Sequence, residues 1–256
     1  MGFLYETHLH TCQASACGRV NGEDYIRYMM DKGFNGIIVT DHFFNGNTCV
    51  PKDLPWEERV DIYASGYERA LKASEGLDFT VMFGVEVNFQ KDEYLLYGID
   101  KQWIKQHEEM MDMTRHELRE AVNKAGGIMI QAHPYRERDY LSDIKLVPAS
   151  AIDGVEVYNA ANKPNMNALA YEYAVGLGLP MTAGSDIHFY NDNDMGGMLF
   201  NKKLGSIADY VDAIRSNTGI PVRLSPDGTI TPVSEIKEQT VPTDTPTLPV
   251  LYPEGR

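Results

Sequence analysis

Histidine is the commonest protein ligand for divalent metals, and five of the seven histidines in this chain end short apolar runs. They are His8 and His10 in Tyr-Glu-Thr-His-Leu-His, His42 in Ile-Ile-Val-Thr-Asp-His, His133 in Ile-Met-Ile-Gln-Ala-His-Pro and His188 in Ala-Gly-Ser-Asp-Ile-His. Each has a carboxylate or another histidine beside it or nearby. A sixth run, Val-Met-Phe-Gly-Val-Glu, ends on Glu86. Alternate residues of a strand share a face, so His8 and His10 can hold one ion together, and Asp186 with His188 repeats that spacing. An acid flanked by Val85 and Val87, as Glu86 is, must be paired, protonated or metal-bound if it is buried. Singly, each run has a plain alternative, a half-buried histidine pair or a polar strand cap. Together they describe the wall of one metal cup. His107 and His116 stand in a stretch crowded with Glu, Met and Arg that reads as a helix face, and they are assigned a structural role.

The elements that must position these groups alternate between apolar runs of four to eight residues and longer amphipathic stretches, the pattern of β-α units around a parallel sheet. Strands are expected near 3–9, 35–41, 81–87, 94–99, 127–132, 153–158 and 180–185, and helices over 22–32, 56–76, 102–125, 165–177 and 206–216. Gly33, Gly76, Gly126 and Gly178 fall where those helices should stop. Long loops, 43–55 after His42 and 189–197 after His188, leave the ligand-bearing strand ends and should form the rim of a pocket. From about 238 onward the chain is rich in Pro and Thr and loses periodicity. Residues 1–237 are therefore expected to form one barrel-like domain, with 238–256 as a C-terminal arm.

A chain of 256 residues with 43% hydrophobic content can bury one sizeable core. Its 23 basic and 37 acidic residues give a formal charge of -14. That balance repels a phosphate backbone, so no stable nucleic-acid complex is expected, while a small substrate held by bound cations is compatible with it. Three cysteines show no disulfide-framework spacing, no apolar run approaches a membrane span, and the first residues read as a strand rather than a secretion signal. A reducing, cytoplasmic setting is the expectation.

The order His-x-His, Thr-Asp-His, Gly-Val-Glu-Val, Ala-His-Pro and Gly-Ser-Asp-x-His closely resembles the PHP (polymerase and histidinol phosphatase) superfamily, from about residue 5 to residue 190. The resemblance implies an α/β fold, a distorted (βα)7 TIM-like barrel of parallel strands, with two or three divalent ions at the C-terminal strand ends. It implies that His8, His10, Glu86 and Asp186 hold one ion, that Glu86 bridges to a second ion also held by His133, and that His42 and His188 contribute to a third. Zinc, manganese and iron all suit such a mixed nitrogen and oxygen set. Two departures stand out. Many members have an acid or histidine a few residues after His-x-His, where this chain has Cys17 as the available substitute. Many also have a histidine before the Leu-Leu of the fourth strand, where this chain has Tyr94.

The implied chemistry is metal-assisted hydrolysis of a phosphate ester, with Asp41, His42 or His188 orienting water or protonating the leaving oxygen. Arg136 and Arg138, just after His133, and Arg19 are the candidate phosphate-binding cations. The expected activity is that of a phosphoesterase acting on a small phosphorylated metabolite, a monoester first, histidinol phosphate or a nucleotide among the options. A phosphodiesterase or 3′-5′ exonuclease and a catalytically degenerate metal-binding sensor are the alternatives. A C–N hydrolase fits less well, because no lysine ends a strand.

Overall fold

The computed structural model describes residues 2–137, 144–236 and 250–251. Ten strands join in one curled, half-barrel sheet: β1 (Phe3–Leu9), β2 (Gly36–Val39), β3 (Thr80–Phe89), β4 (Asp92–Tyr97), β5 (Ile128–Gln131), β7 (Gly154–Asn159), β8 (Met181–Gly184), β9 (Met195–Phe200), β10 (Ile220–Leu224) and β11 (Ile230–Pro232). Their order is β11-β10-β9-β1-β2-β3-β4-β5-β7-β8. A separate short ladder pairs β6 (Lys145–Leu146) with β12 (Val250–Leu251). Among the described residues six α-helices flank the strands: α1 (Gly22–Asp31), α2 (Trp56–Ala73), α3 (Lys101–Gln106), α4 (Arg115–Lys124), α5 (Pro164–Leu177) and α6 (Ile207–Arg215).

The seven expected strands are all present, but they do not form an all-parallel ring. β1-β2-β3 and β5-β7-β8 run parallel, whereas β4 is antiparallel to both β3 and β5. A two-residue turn between Phe89 and Asp92 makes β3 and β4 a hairpin, which is why no helix separates them. On the other side of β1 an antiparallel ribbon, β9-β10-β11, extends the sheet. Its first strand falls partly in the stretch expected to be loop, because Gly196 and Gly197 read as loop residues. They serve close approach instead: a Cβ on Gly196 would lie 2.1 Å from the Gly184 carbonyl oxygen, and one on Gly197 would lie 2.7 Å from that of Tyr5. The sheet curls until the end of β1 meets the segment after β8, where Leu9 and Ile187 form a parallel bridge.

The single helix expected over 102–125 is two. Asp100 caps α3 by accepting the Trp103 N–H, and a capping box of Thr114 and Glu117 starts α4 afresh. The arm expected from 238 lies outside the described residues except for 250–251. Among the described residues no helix is long and apolar enough to cross a membrane.

Two bulges set the direction of the strand ends. The pairing of β1 with β2 slips by one residue between Glu6 and Leu9, so Leu4 and Leu9, five apart, both join the apolar layer under α1 with Tyr25, Ile26 and Met29. The slip turns the His8 and His10 face inward beyond it. A second slip, between Glu156 and Tyr158 in β7, does the same for that strand's end.

Gly66, in the middle of α2, seats the helix directly on the loop that comes after β1. A Cβ there would stand 2.2 Å from Thr11 Oγ1, and a Cβ on Gly22 of α1 would stand 2.0 Å from the Gly66 carbonyl oxygen. Alanine in a helix interior normally gains about 1 kcal/mol over glycine. At this position overpacking outweighs propensity, so Gly66→Ala is expected to lower stability by about 1–3 kcal/mol in urea unfolding. A gain in stability would contradict the close approach.

Candidate metal centre

The strand ends deliver their polar residues to one buried cup. His8 and His10 come from β1 and its extension, and His42 from the continuation of β2, which pairs with Glu86 of β3 as a parallel bridge. His133 comes after β5 and Asp186 after β8. Both have positive φ, 27° and 55°, which non-glycine residues adopt at a cost. The chain is held in that conformation at two of the positions that aim ligands into the cup.

Glu86 sits at the centre, fully enclosed. Its Oε1 lies 3.2 Å from His8 Nε2 and 3.4 Å from His133 Nε2, and its Oε2 lies 2.6 Å from His42 Nδ1 and 3.5 Å from His10 Nε2. Asp186 Oδ1 is 3.1 Å from His10 Nε2 and 3.6 Å from His8 Nε2. Among the described residues four groups have donor atoms close enough together to hold an ion: His8, His10 and Glu86; His8, His133 and Asp186; His42, Glu86 and Glu93; and His10, His42 and His188.

Six of these buried atoms have no hydrogen-bond partner among the described residues: Nε2 of His8, His10 and His133, Nδ1 of His42, and both carboxylate oxygens of Glu86. Such orphaned atoms are rare in a native interior and each calls for an explanation. Here they converge, and all six are metal-ligand types, so the residues fit divalent ions.

The opposite edges of the rings are held. His8 Nδ1 is 2.8 Å from Glu156 Oε1, which assigns the proton to Nδ1 and leaves Nε2 facing Glu86. Glu156 Oε2 also accepts the His133 backbone N–H at 3.0 Å and Asn159 Nδ2 at 2.9 Å. His10 Nδ1 lies 3.1 Å from Ser15 Oγ, whose own proton goes to Asp41 at 2.6 Å, so the ring donates there and its Nε2 faces the cup. His188 Nδ1 donates to the Asp186 backbone oxygen at 2.9 Å.

The electrostatics arise from this crowding. Burial alone would raise Glu86 and Asp186. The imidazoles of His42 and His8 outweigh it at Glu86, and Arg136 with His8 outweighs it at Asp186, so both acids stay well below the usual carboxylate range. Burial would lower His8 and His42, but their carboxylate neighbours raise both. His10 is lowered by burial and by nearby His42 and stays neutral. Glu6, sealed beneath the cup, is pushed up to about 7 by burial, while its Oε1 accepts the N–H groups of His8 and Ser185.

The other expected site residues take different places. Asp41 does not face the cup. Its oxygens accept from the Thr11 N–H and hydroxyl and from Ser15, and burial raises it to about 6 against those bonds. It anchors the loop under His10. Arg136 reaches the cup but donates Nη1 to Asp186, Nη2 to Asn159 and Nε to Asn162. Arg19 is exposed, and its backbone N–H donates to the His188 carbonyl at 2.8 Å. Arg138 lies outside the described residues. Cys17 lies beside His188 and His42. Burial would raise its thiol, but those two rings bring it down to about 6. Tyr94 points away from the cup, its hydroxyl accepting from Arg115. His107 stacks on Trp103 and His116 approaches Glu120 one turn on, both away from the centre.

Two buried acids at the cup were not anticipated. Glu93 stands 3.4 Å from His133 and 3.9 Å from His42. In the hairpin Glu86 pairs with Leu95, so Glu93, two residues before Leu95, shares the Glu86 face, and Tyr94 takes the other. Glu156 also had a signal, since Gly154-Val155-Glu156-Val157 repeats the tetrapeptide around Glu86.

No protein-family model and no curated protein matches the chain. Solved structures do. One is a two-domain protein from Bacteroides vulgatus containing a predicted PHP-like metal-dependent phosphoesterase, 15% identical over 86% of this chain and 64% of that one, with a TM-score of 0.59. The chain has the PHP-like fold. Endonuclease Q, in complex with a duplex bearing an abasic lesion, is 14% identical over 84% of this chain and 57% of that one, with a TM-score of 0.55. PsfC from Pseudomonas syringae is 15% identical over 88% of this chain and 91% of that one, with a TM-score of 0.50.

Two measurements check the centre. Glu156→Gln should weaken zinc or manganese binding roughly 10- to 100-fold in titration calorimetry while leaving the fold intact, as loss of a ligand-orienting carboxylate does. Glu93→Ala should weaken uptake and Tyr94→Phe should not. The reverse result would place the wrong face of β4 inward.

Proposed function

We propose that this protein is a metal-dependent phosphoesterase that hydrolyses a small phosphorylated metabolite, a phosphomonoester in the first instance. The observation that carries this is the convergence of six orphaned, buried ligand atoms around Glu86. His8, His10, Glu86 and Asp186 would hold one ion. Glu86, whose Oε1 lies near both His8 and His133, would also contribute to a second ion with His133 and Glu93, and His42 and His188 would serve a third. When bound, two or three such ions would lower the pKa of water and neutralise phosphoryl oxygens. Zinc, manganese and iron all fit the donor set.

The chain's own residues prepare that chemistry. Glu156 and Ser15 fix the protons of His8 and His10 on Nδ1, away from the cup. Arg136 keeps Asp186 ionised and aimed, a positioning task that occupies three of the donors expected to meet phosphate. Beside Asp186 and His188 a cavity of ≈ 210 Å³, lined also by Ala160, Phe189 and Asn191, is the candidate seat for the leaving group. Its size suits a small metabolite. The formal charge of -14 disfavours a polyanion. A phosphodiesterase is the second reading, favoured by the likeness in fold to Endonuclease Q.

Protein loaded with manganese or zinc should cleave p-nitrophenyl phosphate faster than bis-p-nitrophenyl phosphate, and chelation should remove the activity. Glu86→Ala should abolish turnover and bound metal together. Faster diester cleavage would select the second reading, and metal binding without turnover across a broad phosphate-ester panel would make the protein a sensor.

A further inference from the structure

One of the four ligand groups differs in kind from the rest. His8, His10 and Glu86, then His8, His133 and Asp186, and then His42, Glu86 and Glu93 each include a carboxylate, whereas His10, His42 and His188 do not. Those three rings crowd together, with His10 centred 4.3 Å from both His42 and His188. His10 Nε2 is fully buried and has no hydrogen-bond partner among the described residues. His188 has its Nδ1 bound to the Asp186 carbonyl, so its Nε2 edge is the one left to face a ligand.

The Cys17 thiol lies beside two of these rings, His42 and His188. Its place is fixed by the loop that carries it. Ser15 Oγ donates to Asp41 and accepts the His42 backbone N–H, and the Ala16 N–H donates to the Asn47 carbonyl at 2.9 Å. The Gly18 N–H closes the turn onto the Ser15 carbonyl at 3.0 Å, and the Arg19 N–H donates to the His188 carbonyl at 2.8 Å. A Cβ on Gly18 would lie 2.4 Å from the Thr11 carbonyl oxygen, so the turn is as tight as a glycine allows. Cys12 and Cys49 are different: their thiols meet the Asn21 side-chain oxygen and backbone carbonyls of residues 12 and 13.

We propose that Cys17 is a metal ligand, its thiolate joining His42 and His188 in a soft sulfur–nitrogen site on one side of the cup that takes zinc in preference to magnesium or manganese. It rests on the metal-cup reading and adds the ligand that this reading leaves the third ion without. A thiolate favours zinc, whereas the oxygen-rich side around Glu86, Glu93 and Asp186 accepts harder ions, so the two sides select different metals. On coordination the thiol proton leaves to solvent and the sulfur lone pair forms the bond, with no change of oxidation state.

Cobalt(II) reports this directly, because thiolate coordination adds a near-ultraviolet sulfur-to-cobalt charge-transfer absorption that nitrogen and oxygen ligands do not give. Metal-free full-length protein titrated with cobalt should develop that band. Cys17→Ser should lose it, and a Cys12→Ser/Cys49→Ser double variant should keep it. In parallel, zinc should slow iodoacetamide labelling of Cys17 in the unmodified protein at least 10-fold, read by peptide mass mapping, an arm that stands even if Cys17→Ser does not fold. Cobalt bound without the band, a band that survives Cys17→Ser, or labelling indifferent to zinc would overturn the thiolate ligand while leaving the cup intact. Failure of every version to bind cobalt would overturn the cup and the thiolate together.

Discussion

Negative charge held out of water is the constraint on which the rest of this structure depends. Glu6, Asp41, Glu86, Glu93, Glu156 and Asp186 are all buried within or beneath one cup. A buried carboxylate survives only if it is paired, hydrogen-bonded or neutralised. The acids meet that demand differently. Asp41 binds two hydroxyls and a backbone N–H, Glu156 binds His8, Asn159 and the His133 backbone, and Asp186 binds Arg136. Glu86 has imidazoles around it and, among the described residues, no hydrogen bond to either oxygen. Asp41 and Glu156 are thus scaffolding, while Glu86 turns both oxygens to the imidazoles that keep it ionised.

That division explains how the scaffold sets ring orientation. An imidazole has two nitrogens, and a ligand must present the unprotonated one. The outer contacts of His8, His10 and His188 are a carboxylate, a serine hydroxyl and a backbone carbonyl, three different chemistries with one effect. Bulges in β1 and β7 lie beside His8 and Glu156, which meet at 2.8 Å. Ligand, orienting group and backbone register form one connected arrangement.

How much of this the sequence discloses depends on whether a group is located by local pattern or by pairing. The histidines and Glu86 close apolar runs, and the seven strands that carry or neighbour them are visible as runs, so both were legible. Glu93 was not, because its inward direction depends on Glu86 pairing with Leu95, a fact of hairpin register. Tyr94, one residue along, was the reasonable but outward choice. β9 hid behind Gly196 and Gly197, whose lack of side chains signals a loop in one dimension and close strand approach in three. Arg136 was placed near the centre by sequence, but its pairing with Asp186, fifty residues on, required the fold.

The hairpin has a bearing on how the cup assembles in time. Gln90 and Lys91 both have positive φ, 51° and 78°, the backbone of a two-residue turn that matches strand twist. Glu86 and Glu93 are thereby joined through a local contact, of the kind that forms within about 1–10 μs. His8 meets Asp186 only when β1 and the segment after β8 come together, a closure across most of the chain and slow for that reason. Glu86 and Glu93 are thus brought together by local pairing, whereas Asp186 and the histidines reach them only through long-range closure.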